Sequence, residues 1–243
     1  MESSKRKLFT CLSPALINLY DISNSVVVII DVLRATSTIT TALYNGAESV
    51  IPVASVPRCI ELGASLGGIT AGERDGRVAE GLSYGNSPFE YPRSFVENKI
   101  LVLTTTNGTK LLHMALDQGA PEIITGSFPN LSAVCDHLIH SGRDVLLGCS
   151  AWKDRVNLED TLFAGAVVSR IKEHFNIECD SSKLAENLFN EAGDDRFEFM
   201  KKRDATHYHR LMNYNLEKDI RYCLGEDSAN ILPIFRGDRL VVA

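Results

Sequence analysis

Asp31 closes an apolar, largely β-branched run from Ser25 to Ile30, and Arg34, Thr36 and Ser37 follow within six positions. A carboxylate at the end of such a strand can hold a metal, a guanidinium beside it can clamp an oxyanion, and hydroxyls opening a helix can donate to one. The plainer reading makes Ser37 a helix cap and leaves Arg34 in solvent. An acid set directly after a buried strand favours the chemical reading. The order is not the D-x-D-x-T of aspartyl-phosphate phosphatases, because Leu33 and Arg34 stand where a second aspartate would be. Asp31 as a covalent nucleophile therefore has little support.

Three other polar segments have comparable chemistry. Gly72-Glu-Arg-Asp-Gly-Arg77 sets Glu73, an oxygen ligand suited to magnesium, beside Arg74 and Arg77, which suit anions; the same pattern also makes an ordinary charged turn. Thr104-Thr-Thr-Asn-Gly-Thr-Lys110 joins a strand to a helix. Its amides, the helix dipole and the hydroxyls of Thr105 and Thr109, with Asn107 and Gly108 between, form an anion cradle. It is not a Walker A loop, and a capped turn needs fewer threonines. Asn157-Leu-Glu159-Asp160 opens a helix; acids there serve the helix dipole as readily as a metal.

Weaker patterns are set aside. Cys149 to Arg155 has the C-x5-R spacing of cysteine phosphatases, but the loop lacks glycine and carries Trp152 and Lys153, so the match reads as chance. His137 and His140 have no third ligand following them, and His207 and His209 would point to different helix faces.

The elements that must position these loops alternate in the α/β manner. Strands are expected at Ser25–Ile30, Ser49–Val53, Ile69–Gly72, Lys99–Leu103, Glu122–Thr125 and Asp144–Leu147, with helices between them. Gly72 to Lys99 is otherwise irregular, a length more often functional than idle. From Leu158 onward the pattern is mainly helical, with closing strands at Ile231–Phe235 and Arg239–Val242. The expected architecture is a three-layer α/β/α fold with a mainly helical C-terminal part, one domain over 1–243 with possible lobes at 1–150 and 151–243. Ligands in such folds collect where strands run into helices.

Composition bounds the function. The 243 residues are 44% hydrophobic and 23% charged, ordinary for a globular chain. A net charge of -6 with scattered Lys and Arg argues against nucleic acid as partner. The six cysteines show no C-x-x-C pair, and no segment is apolar enough to span a membrane, so a cytoplasmic protein with reduced thiols is expected.

Taken in order, Asp31-Val-Leu-Arg-Ala-Thr-Ser-Thr38, Gly72-Glu-Arg74, Glu80-Gly81 with Gly85-Asn-Ser-Pro88, Thr104 to Thr109, and Glu159-Asp-Thr161 with Gly165 resemble the 2-phosphosulfolactate phosphatase (ComB) family. Cys149, His207 with Leu211, and Asp219-Ile220 echo it more weakly. The resemblance spans about Asp31 to Pro233. It implies magnesium-dependent hydrolysis of (2R)-phospho-3-sulfolactate, a step of coenzyme M biosynthesis, by a homodimer with the family's α/β/α fold. It also brings Asn86 and Ser87 into substrate binding. On this expectation Asp31, Glu73 and Asp160 hold Mg²⁺, Arg34, Arg74, Thr36 and the Thr105–Thr109 cradle bind the substrate, and Glu159 orients water. The chain departs from the family where Leu82-Ser-Tyr84 replaces Phe-Asp-Leu and Ser150-Ala151-Trp152 replaces Ala-Gly after Cys149. Two rival functions remain: a phosphatase for another small anionic ester, and a non-catalytic anion-binding module.

Overall fold

A computed structural model describes residues 5–105 and 108–243. The chain opens with β1 (Leu8–Cys11), a strand not expected from the sequence. The alternation then follows as β2 (Ser25–Ile30), α1 (Ala35–Tyr44), β3 (Ser49–Pro52), α2 (Val56–Leu66), β4 (Ile69–Arg74), the short β5 (Arg77–Val78), α3 (Arg93–Val96), β6 (Ile100–Thr104), α4 (Gly108–Asp117), β7 (Glu122–Gly126), α5 (Leu131–His140) and β8 (Asp144–Cys149). Helices α6 (Leu158–Ile171), α7 (Asp180–Ala192), α8 (Arg196–Lys202), α9 (Thr206–Met212) and α10 (Glu217–Cys223) come next, and β9 (Pro233–Arg236) and β10 (Arg239–Val242) close the chain.

The strands form one mixed sheet in the order β1-β8-β2-β7-β9-β10-β3-β6-β4-β5. Two parallel blocks, β1-β8-β2-β7 and β3-β6-β4, are joined by the C-terminal hairpin β9-β10, which pairs antiparallel to β7 on one side and β3 on the other. The joints are thin, resting on Ile124–Ile234 and Leu240–Val50.

Helices cover both faces because strand side chains alternate. Val26, Val28 and Ile30 of β2 pack with Leu131, Phe163 and Val167 of α5 and α6. Val27 and Ile29 pack with Leu111, Leu112 and Ala115 of α4 on the other side. In the second block, Leu101 and Leu103 of β6 meet Ile39 and Leu43 of α1, while Val102 meets Cys59 of α2. Each such buried aliphatic side chain is worth about 1.5–3 kcal/mol. The architecture is the expected three-layer α/β/α.

Local signals set the ends and the packing of the helices. Ser55 caps α2 by accepting from the Arg58 amide (3.3 Å), and Gly67 ends it in the left-handed region at φ 62°. Helix α6 packs so closely on α7 that a Cβ on Gly165 would lie 2.0 Å from the Ala185 carbonyl oxygen. The irregular stretch after β5 is fixed by buried Tyr91, whose hydroxyl donates to the Gly85 carbonyl (2.6 Å) and whose own carbonyl accepts from Asn45 (2.8 Å). That anchoring delivers Asn86 to the cleft described next.

Candidate functional site

One cleft gathers residues from the ends of β2 and β4, the loop after β8, the Gly85–Ser87 segment and α9. Asp31, Arg34, Glu73, Asn86, Trp152 and Arg210 are among its walls. Asp31 follows directly from the β2 run; its amide donates to Thr36 Oγ1 (3.2 Å) and its carbonyl accepts from the Thr36 amide (3.0 Å), which turns the chain into α1. Burial pushes the Asp31 carboxyl up to about 7; His207 opposes the rise, and Glu73 and Glu159 add to it. Asp31 thus feels two other carboxylates as well as its own burial, a setting that favours a cation or a proton beside it.

Arg34 enters through a cis Leu33–Arg34 peptide bond. Its guanidinium is buried and already engaged: it donates to Asp219 Oδ2 of α10 (2.5 Å) and to the Gly76 carbonyl (3.3 Å). Asp219 therefore fixes how Arg34 faces the cleft. Glu73 accepts from the Gly76 amide through Oε2 (2.8 Å). Asn86 Oδ1 is buried without a hydrogen-bond partner, as is Glu159 Oε2. Glu159 Oε1 pairs with His207 Nδ1 of α9, and the pair stands between the cleft and a second opening lined by Asn157, Glu159 and Thr206.

Asp160 is placed differently from its neighbour. Its carboxylate accepts from the Val32 amide (2.9 Å) and the Ala151 amide (3.2 Å), tying the chain after β2 to the chain after β8. Burial raises its pKa well above the usual carboxylate range, with Glu159 and Asp31 adding to it. Both oxygens already serve the backbone. Cys149 is fully buried and its thiol is pushed far up by burial, the reverse of what a cysteine nucleophile needs.

The remaining expected residues lie elsewhere. Arg74 donates to the Glu73 carbonyl (2.6 Å) and to Thr104 Oγ1 (3.0 Å) and is not among the cleft walls. Ser87 caps a short turn by accepting from the Phe89 amide (3.3 Å). Thr36, Thr105 and Thr109 line a second cavity, largely apolar, with Ile39, Leu103 and Leu112. Gly108 begins α4; Asn107 lies outside the described residues.

Three cleft residues carried no expected role from the sequence, where His207 with Leu211 stood only as a weak family echo. His207, Arg210 and Leu211 all line the cleft. Their i, i+3, i+4 spacing puts them on one face of α9, a signal obscured by comparing His207 with His209. Asp219, with Ile220 a weak family echo, gave no sign of its pairing with Arg34, which lies 185 residues away. Among the described residues, no three His, Cys, Asp or Glu side chains cluster closely enough to hold a metal by themselves. The donors present are hard oxygens, and magnesium commonly takes only one or two carboxylates together with substrate phosphate and water. The set is therefore chemically suited to that ion.

Comparison with known proteins gives the family. Residues 11–238 match the family described as 2-phosphosulpholactate phosphatase. A protein of Thermotoga petrophila is 42% identical over 206 residues, covering 85% of this chain and 87% of its own. One from Caldanaerobacter subterraneus subsp. tengcongensis is 38% identical over 221 residues (89% and 90%), and one from Clostridium perfringens is 34% identical over 225 (90% and 89%). Each of these relatives carries the name "Probable 2-phosphosulfolactate phosphatase". The chain belongs to the 2-phosphosulfolactate phosphatase family, whose members are phosphoric monoester hydrolases.

Proposed function

We propose that this protein hydrolyses (2R)-phospho-3-sulfolactate to 3-sulfolactate and phosphate with the help of magnesium. The observation that carries the reading is the buried, unpartnered Asn86 Oδ1 in the wall of a cleft that Asp31 and Glu73 also line, with Glu159 Oε2, likewise buried and unpartnered, behind the cleft residue His207. A buried polar atom without a partner costs about 1–3 kcal/mol, and one in the wall of a polar cleft is placed for a ligand to satisfy. Asp31 and Glu73 would hold Mg²⁺, which when bound supplies Lewis-acid polarisation of a phosphate oxygen.

The chain's own groups would do the rest. Glu159, held by His207 on Oε1, would orient the attacking water with Oε2 and take its proton. As the water oxygen bonds to phosphorus, the ester P–O bond breaks and the sulfolactate oxygen leaves, gaining a proton from solvent. Arg34, fixed by Asp219, would face the charge gathering on the phosphoryl oxygens. Asp160 would act through position, keeping Val32 and Ala151 in place beneath the site. The wider proposal is a homodimer working in the cytoplasm in coenzyme M biosynthesis.

Trp152 in the cleft wall favours one alternative, a different small anionic phosphate ester. Phosphate release from racemic phosphosulfolactate, phospholactate and p-nitrophenyl phosphate, each with and without magnesium, separates the readings. Fast magnesium-dependent release that prefers the sulfonate supports the proposal. Release from the other esters alone contradicts the substrate, and no release from any would leave an anion-binding module.

A further inference from the structure

Of the two arginines in the cleft, one is already spoken for. Arg34 is neutralised by Asp219 and shared with the Gly76 carbonyl. Arg210 has no carboxylate within ion-pair distance among the described residues, and its Nε is buried without an acceptor. Its guanidinium instead lies over the Trp152 ring, 4.4 Å from the centroid. Lys153 Nζ lies 4.6 Å from the same centroid, so two cations are gathered at one indole.

The wall that presents Trp152 is built at some cost. Ala151, Lys153 and Asp154 all have left-handed backbone (φ 58°, 51° and 62°), each an unfavourable conformation for a residue with a Cβ. Trp152 and Arg155 exchange backbone hydrogen bonds (2.9 and 3.0 Å), closing the loop into a tight turn. Asp154 is anchored by Lys110 (2.7 Å), and its carbonyl accepts from Ser13 (2.9 Å). The turn thus holds a large aromatic plate rigidly against the face of α9 that carries Arg210.

We propose that Trp152 and Arg210 form a subsite for the second anionic group of the substrate, an oxyanion on the carbon chain away from the phosphate. The proposal rests on the function given above, under which that group is the sulfonate. A guanidinium is planar, always charged and weakly hydrated, and it offers paired N–H groups to an oxyanion. The indole fixes its plane and keeps water from one side, which strengthens those bonds. A sulfonate, itself a weakly hydrated anion with three acceptor oxygens, matches that surface.

The test is binding of 3-sulfolactate, lactate and inorganic phosphate by titration calorimetry, which needs no turnover. Wild type should bind sulfolactate more tightly than lactate. Arg210→Ala should weaken sulfolactate at least about tenfold, with changes below about threefold for phosphate, and Arg210→Lys should recover only part of the loss. Trp152→Ala should cost less, about three- to tenfold, because the guanidinium stays but loses its plate. Arg58→Ala, an exposed change on α2, checks that surface charge alone does not matter. Equal losses for sulfolactate and phosphate, or no preference for sulfolactate over lactate in wild type, would overturn the subsite. Absence of phosphosulfolactate turnover in an enzyme that still binds sulfolactate through Arg210 would instead overturn the proposed reaction and leave the subsite standing.

Discussion

Two cavities flank the start of α1, and they differ in kind. The cleft on the Asp31 and Arg34 side is walled by acids, arginines and amide oxygens. The cavity on the Ala35 and Thr36 side is walled by Ile29, Ile39, Pro52, Leu103, Leu112 and Leu240, with threonines as its polar component. A hydroxyl can donate to an anion, but it carries no charge to offset the cost of bringing phosphate into an apolar surround. The contrast teaches that a polar loop after a strand is a candidate only until the charges around it are known.

The largest effect that would sharpen this contrast is expected at Asp31. Asp31→Asn should lower kcat with phosphosulfolactate about a thousandfold or more, read as phosphate release at saturating magnesium. Near-normal turnover would remove Asp31 from the chemistry. Glu159→Gln keeps shape and the His207 contact but loses basicity, and a fall of about a hundredfold or more in kcat is expected. A loss confined to KM would reassign Glu159 to binding.

Stability should respond next. Asp219→Ala leaves the buried Arg34 cation unpaired, and breaking such a pair costs about 3–5 kcal/mol. Chemical denaturation should show that loss, whereas a change below about 1 kcal/mol would mean that Arg34 reaches water. In magnesium-free protein, pH offers a subtler reading. A folded carboxyl raised from 3.8 to about 7 stabilises the fold fully below 3.8, and that contribution is lost as pH rises through about 7. Relative to Asp31→Asn, wild type should therefore lose melting temperature between pH 4 and 8, with the two curves converging in acid. Parallel curves would show that Asp31 ionises without penalty.

The smallest effect belongs to the apolar cavity. Thr125 Oγ1 is buried there without a partner, so Thr125→Val should raise stability by up to about 1 kcal/mol in a thermal melt. A clear loss would show that the hydroxyl meets a partner in solution.

How much was legible follows from the range of the forces involved. The strand Ser25–Ile30 announced itself by unbroken β-branched residues because both faces are buried. Asp31 and Glu73 reach the cleft from segments with recognisable local patterns, whereas Asn86, in an irregular stretch, was legible only through the family resemblance. β1 was missed because four residues, Leu8–Cys11, show no period; the strand is defined by its pairing with β8. The insertion of β9-β10 between two parallel blocks was equally invisible, since it rests on pairs such as Ile124–Ile234. In the cleft, the fate of a charge depended on partners far away. Asp160 looked like Glu159 in sequence, yet only Asp160 meets two backbone amides, and Arg34, read as either an oxyanion clamp or a solvated side chain, is buried against Asp219.

The most direct test is a crystal structure with 3-sulfolactate and magnesium bound. The account predicts the ligand in the acid-walled cleft, its hydroxyl towards Asp31 and its sulfonate on Arg210 against Trp152. A ligand seated instead among Thr36, Thr105, Thr109 and Leu112 would contradict it.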